Sequence, residues 1–129
     1  MNRDENYGVI ENFWAAMNTN DWRAAAEFFR DDFVLEWPQS GERMRGRENF
    51  VAMNANYPSH GRWVFTVNQI VAGETDAVSD VSVTDSVFQG RVVTFSEIPD
   101  GKIVSQKEFW PEPFEAAEWR ARWVERIEK

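Results

Sequence analysis

The chain has 129 residues, 14 basic against 22 acidic, a net charge of −8 and no cysteine. This length gives one domain, residues 1–129, with a core that needs no covalent staple; the missing Cys removes disulfides and thiolate zinc sites and points to a reducing compartment. The acidic balance argues against nucleic acid, whose phosphates need a basic face. MNRDENYG carries no apolar signal segment and no run reaches membrane-spanning length, so a cytoplasmic protein without a membrane partner is expected.

Ile10, Phe13, Trp14 and Met17 fall at i, i+3, i+4 and i+7, which predicts a helix with one apolar face. Asn18-Thr19-Asn20-Asp21 breaks that pattern and offers Asn20 or Asp21 as an N-cap. Trp22, Ala25, Ala26 and Phe29 repeat the spacing, predicting a second helix. Phe33–Trp37 reads as a short strand stopped by Pro38. The basic run Arg43-Met44-Arg45-Gly46-Arg47 is a solvated loop or an anion contact at a pocket mouth, and the former is the simpler reading. A third helix carries Phe50, Met53 and Tyr57 and ends at Pro58.

From Arg62 the apolar period changes from 3.6 to 2, predicting strands over 62–73, 77–88, 91–98 and 102–110. Gln89-Gly90 and Asp100-Gly101 are two-residue hairpin signals, and Glu74-Thr75-Asp76 is a looser turn. Tight turns would pair Phe95 with Gln106, Val93 with Glu108, Thr84 with Phe95 and Ser82 with Glu97. One face would then gather Trp63, Phe65, Val67, Asp80, Ser82, Thr84, Val93, Phe95, Glu97, Gln106, Glu108 and Trp110. The other would be a strip of Val, Ile and Phe side chains needing a cover. A C-terminal helix with Ala116, Trp119, Trp123 and Ile127 at helical spacing covers part of it. A second copy of the chain is the simplest cover for the rest, so a homodimer through the outer sheet face is expected.

Glu108 is the residue with the clearest chemical signal. In VSQKEFW it shares a face with Gln106 and Trp110, and a carboxyl on an apolar face has its neutral form favoured, which suits proton transfer near neutral pH. Seven Trp, ten Phe and two Tyr exceed what a small core demands and suggest an aromatic-lined cavity. The lone His60 reads as a surface loop residue, and no second His or Cys accompanies it for zinc. Asp80, Glu97 and Glu108 on one face form no compact acidic loop, so no metal is expected. The scattered glycines make no phosphate loop or dinucleotide fingerprint, so no cofactor is expected.

The order helix, helix, short strand, helix and antiparallel meander resembles the nuclear transport factor 2-like superfamily. FWAAMNTNDWRAAAEFFRDDFVLEWP is similar to the opening of its SnoaL-like and ketosteroid-isomerase-like members, and DGKIVSQKEFWPEPFEAAEW to their closing strand. The resemblance implies an α+β fold: a cone-shaped curved antiparallel sheet packed on three N-terminal helices, plus a C-terminal helix. Ketosteroid isomerases place a Tyr on the first helix and an Asp before the strand-ending Pro, where this chain has Phe13 and Trp37. That departure speaks against steroid isomerisation by their mechanism. Limonene-epoxide-hydrolase-like members use an Asp–Arg–Asp set. Glu108 matches the closing-strand Asp, but Ser82-Val83-Thr84 stands where an Arg-x-Asp is needed. SnoaL-type cyclases use a late carboxylate in an apolar pocket, a part that Glu108 fits.

The expected site therefore has Glu108 as acid/base with Gln106 and Asp80 beside it. Trp37, Tyr57, Trp63, Phe65, Phe95 and Trp110 would form walls beneath Phe13 and Met17, with polar contacts from Ser82, Thr84 and Glu97. The ligand would be a small apolar or aromatic molecule with a polar handle, acted on by a cyclase, isomerase, dehydratase or hydrolase. The alternative is a binding or dimerisation module that keeps the fold without the chemistry.

Overall fold

The computed structural model describes residues 2–127. Helix α1 spans Arg3–Asn18, its first turn capped by the Asn2 side chain accepting from the Glu5 amide, and it buries Ile10, Phe13, Trp14 and Met17 as the spacing predicts. Helix α2 (Trp22–Ala26) starts at the Asp21 cap, which accepts from the Ala24 amide. It ends earlier than expected: Phe29 opens strand β1 (Phe29–Trp37) instead of closing a helical face. The backbone is captured there by the strand that begins at Ile103, because the Ile103 amide donates to the Phe28 carbonyl at 2.9 Å and the Lys102 ammonium donates to that of Glu27. Strand β2 (Glu42–Arg45), not foreseen, returns along β1, and helix α3 (Arg47–Asn56) follows.

Strands β3 (Val64–Ala72), β4 (Asp76–Thr84), β5 (Gln89–Glu97) and β6 (Ile103–Phe109) form the meander. The six strands make one curved, unclosed sheet in the order β2-β1-β6-β5-β4-β3, antiparallel throughout except for a parallel β1–β6 pair. The helices cover the concave face. Among the rings that fill the core there, Phe29 stacks on Phe33 with centroids 3.6 Å apart, and Phe50 meets Phe29 edge-on at 4.8 Å.

Two asparagines fasten the helical layer to the sheet edge. The Asn18 side chain accepts from the Phe65 amide and donates to its carbonyl, both at 2.7 Å, and Asn20 makes the same pair of bonds with Trp63 at 2.9 Å. These amides stand in for a missing neighbour strand beside β3. Asn20 reaches its partner from a left-handed backbone, φ 60°, which Asn tolerates.

The hairpin registers differ from those expected. Asp85–Phe88 forms the β4–β5 turn, with the buried Asp85 carboxylate accepting from the amides of His60, Val87 and Phe88. These amides, that of His60 foremost, hold its pKa well below the usual carboxylate range. Gly90 lies inside β5, where a Cβ would sit 2.6 Å from the Phe88 ring, so its glycine serves close packing and not a turn. At the next connection Thr94 faces Glu108 and Ser96 faces Gln106, one residue out from the expected pairing. That slip turns Asp80, Ser82, Thr84, Phe95 and Glu97 to the outer face. A bulge between Val67 and Gln69 supplies a second one-residue slip, which returns Trp63 and Phe65 to the concave side.

The expected C-terminal helix is a 3-10 segment, Glu118–Trp123, in an otherwise extended arm that makes no substantial packing contact with the body. A short amphipathic segment with nothing to lean on does not hold an α-helix in water.

Replacing Asn18 with Ala leaves the Phe65 amide and carbonyl without their partner. Urea denaturation is expected to show a loss of about 2 kcal/mol with little change in m-value.

Candidate functional site

The curved sheet and the three helices enclose a cavity of about 670 Å³. Phe13, Trp14 and Met17 reach it from α1, Phe50 and Met53 from α3, and Leu35 and Trp37 from β1. Trp63, Phe65, Val83, Glu108 and Trp110 form the sheet side. The exposed residues Gln39, Glu42, Tyr57, Phe88 and Glu112 stand at the mouth. Tyr57 meets Trp63 edge-to-face at 5.6 Å, and Trp63 meets Phe88 at 6.1 Å, so the rings form perpendicular walls.

Glu108 is the buried charge-bearing group of this lining, 8% exposed. The Trp37 indole N–H donates to Oε1 at 3.1 Å and the Thr94 hydroxyl to Oε2 at 2.9 Å. No ion pair is formed by Glu108 among the described residues. Burial raises the Glu108 pKa, and the bonds from Thr94 and Trp37, with the nearby Trp110 indole, oppose that rise without cancelling it. The arrangement can hold a neutral carboxyl that donates a proton and then stabilise the carboxylate with two donors already in place.

Of the residues expected at the site, Phe13, Met17, Trp37, Tyr57, Trp63, Phe65, Glu108 and Trp110 come together around the cavity. Gln106 is buried one step deeper and donates to Ser96 Oγ at 3.2 Å, so it does not orient Glu108. Asp80 lies across the sheet, paired with Arg91 through two bonds that keep its pKa low. Ser82 accepts from Asn68, Thr84 donates to the Phe88 carbonyl, and Glu97 accepts from Ser105, all outside the cavity. Phe95 is 47% exposed and meets Phe109 edge-on. Asp80, Glu97 and Glu108 therefore share no site. In the basic run, Arg43 pairs with Glu36 and Arg47 with Asp31, while Arg43 and Arg45 line a shallow groove beyond Trp37, outside the cavity.

Thr94, Asn18 and Asn20 support the site and are not read as site residues from sequence; Asn20 is offered there only as a cap, a place that Asp21 takes. Thr94 sits in a Val-Val-Thr-Phe alternation whose face depends on the register of a single turn. The asparagines look like a helix stop and reveal no partner in sequence.

A raised folded-state pKa has a definite stability signature. Below the unfolded value of about 4.3, Glu108 is neutral in both states; above it the unfolded chain ionises first, so stability falls as pH rises until the folded pKa is passed. Glu108→Gln should remove that fall. The variant is expected to be more stable than wild type at pH 7, with the difference vanishing below about pH 4, read from denaturation midpoints across pH.

Residues 10–106 match the profile of the SnoaL-like domain. Among solved structures, the chain is similar to a provisionally assigned ketosteroid isomerase from Kribbella flavida, with 28% identity and a TM-score of 0.90 over 98% of this chain and 93% of that one. It is also similar to an NTF-2 like protein of unknown function from Burkholderia xenovorans, at 28% identity and TM-score 0.82 over 97% of both chains. An LEH-like epoxide hydrolase of M. tuberculosis, 18% identical with TM-score 0.69 over 84% of both, shares the fold. No curated protein matches the chain in sequence. A profile match over most of the chain, on a helix-covered curved sheet shared with those structures, shows that the chain belongs to the SnoaL-like domain family within the nuclear transport factor 2-like superfamily.

Proposed function

We propose that this chain, as one domain over residues 1–129, binds a small, largely apolar or aromatic molecule and acts on it by acid/base chemistry at Glu108 without a cofactor. The observation that supports this best is a buried carboxyl with no cationic partner among the described residues, held by Trp37 and Thr94 and facing an aromatic cavity. As a neutral acid Glu108 would protonate a carbonyl or hydroxyl handle. The resulting carboxylate, steadied by the Trp37 and Thr94 donors, would take a proton back from another position, the pattern of an isomerase, lyase or cyclase. A fold family that includes isomerases and epoxide hydrolases supports an enzyme. Water activation by a carboxylate pair is less well supported, because the other acids of the lining, Glu42 and Glu112, are exposed at the mouth.

Binding without chemistry is the alternative, favoured by Phe13 and Trp37 standing where isomerases of this fold carry their working groups. A carboxyl-carbon NMR titration with Glu108→Gln as the assigning control, followed by a screen of apolar carbonyl and hydroxyl compounds, separates the two. The acid/base reading expects a Glu108 pKa above the reference of about 4.3 and turnover that falls at least 100-fold in Glu108→Gln while binding persists. An unshifted pKa, or binding with no turnover, makes the chain a binding module.

We also propose that the chain pairs with a second copy through the outer sheet face and the arm. The face is more mixed than expected, with the Asp80–Arg91 pair and Lys107 beside Val64, Val71 and Phe95. The stronger argument is the arm, where Phe114 is 85% exposed, Trp119 75%, Trp123 69% and Ile127 90%. Rings of this size bury roughly 150–250 Å² each when covered, enough from two arms to reach the size of a stable interface. The arm belongs to a shared shape, since the Kribbella flavida match spans 98% of this chain. Sedimentation analysis is expected to give twice the 15.1 kDa chain mass, with Trp119→Ser/Trp123→Ser weakening association at least tenfold. A wild-type monomer at 100 μM, roughly the upper end of working concentration, would contradict the pairing.

A further inference from the structure

The cavity lining is selective in charge as well as polarity. Among the described residues that form it, 22 in number, ten are aromatic, three are glutamates, and none is Lys, Arg or His. Two arginines of the basic run are paired elsewhere, Arg43 with Glu36 and Arg47 with Asp31 and the Phe29 carbonyl. Glu42 and Glu112 add acidic groups at the mouth of a chain whose net charge is already −8.

These features bear on ligand charge in a definite way. An anionic ligand would meet three carboxyl groups and no cation, so it is disfavoured throughout. A neutral apolar ligand would fill the rings and leave Glu108 to keep its proton, so that its carboxyl adds no charge attraction to binding. An organic cation would satisfy both the ring faces, whose quadrupoles are negative, and the carboxylate. The perpendicular Tyr57, Trp63 and Phe88 rings present such faces beside the mouth. The volume, about 670 Å³, exceeds what a bare tetraalkylammonium head needs and leaves room for an attached apolar or aryl body.

We infer that the ligand of this site is an organic cation, an ammonium carried on an apolar or aromatic body, with Glu108 as its buried counter-charge and the aromatic walls as its cage. The inference rests on the cavity being a ligand site, as proposed above, and adds the charge of what it takes; in that complex Glu108 enters as the carboxylate, the base of the acid/base pair, and not as the neutral acid. On this reading the empty site keeps Glu108 tolerable by protonation and two donors, and the ligand replaces the proton as the balancing charge.

The test compares two probes of matched shape, benzyltrimethylammonium and neopentylbenzene, which differ by the charge at one centre. Binding is followed through the tryptophan indole N–H signals in two-dimensional NMR. Five tryptophans line the cavity, and Trp119 and Trp123 lie on the arm as an internal control for stacking elsewhere. The expected result is at least tenfold tighter binding of the cation, shifts at Trp37, Trp63 and Trp110, and about a tenfold loss of that preference in Glu108→Gln. Equal or tighter binding of neopentylbenzene at the same signals overturns the cation inference while keeping the cavity as a ligand site. Binding of neither probe overturns both readings. Shifts confined to Trp119 and Trp123, or a preference unchanged in Glu108→Gln, overturn the assignment of Glu108 as counter-charge.

Discussion

Four hydrogen bonds from Asn18 and Asn20 to the backbone of Phe65 and Trp63 hold the helical roof on the sheet floor. Everything about the cavity depends on that join. β3 is an edge strand, and without the two side-chain amides its outer peptide groups at these positions would face water or an uncontrolled partner. With them, Trp63 and Phe65 are held at a fixed depth beneath Trp14 and Trp22, whose rings lie 5.5 and 6.3 Å from that of Phe65. The roof is thus registered to the sheet by hydrogen-bond geometry, and apolar packing fills in behind it.

Glu108 illustrates how a cavity tolerates a group that folding alone would reject. Its desolvation disfavours the charged form, and two donors from different strands offset part of that cost. Trp37 is central to this. Its indole, carried on the first strand, gives an acid on the last strand a partner.

Much of this was legible in the sequence. The faces of α1, the Asp21 cap, the four strands of the meander and the prominence of Glu108 all follow from spacing and turn chemistry. The failures concentrate where one residue decides a face. The extra residue between β5 and β6 reversed Asp80, Ser82, Thr84, Phe95 and Glu97 together, and hid Thr94 on the supposed outer side. Trp63 and Phe65 fell on the expected side because the bulge after Val67 cancels that slip. Neither event has a local signature: Asp100-Gly101 reads as a tight turn, and nothing in Val67-Asn68-Gln69 announces a bulge. Gly90 misled for the opposite reason, since its missing side chain makes room for Phe88. The arm misled because periodicity implies a helix only where a surface exists to receive it.

The parallel pairing of β1 with β6 has a bearing on how the molecule assembles. Thr94 and Glu108 lie 14 residues apart and meet as soon as the β5–β6 hairpin closes. Trp37 and Glu108 lie 71 residues apart, and join only when the first strand docks beside the last. Long-range closure of this kind is entropically expensive and belongs to the slow part of folding. No fragment that stops short of β6 contains the site in any form. The Glu108 site is therefore assembled only where β6 has docked beside β1.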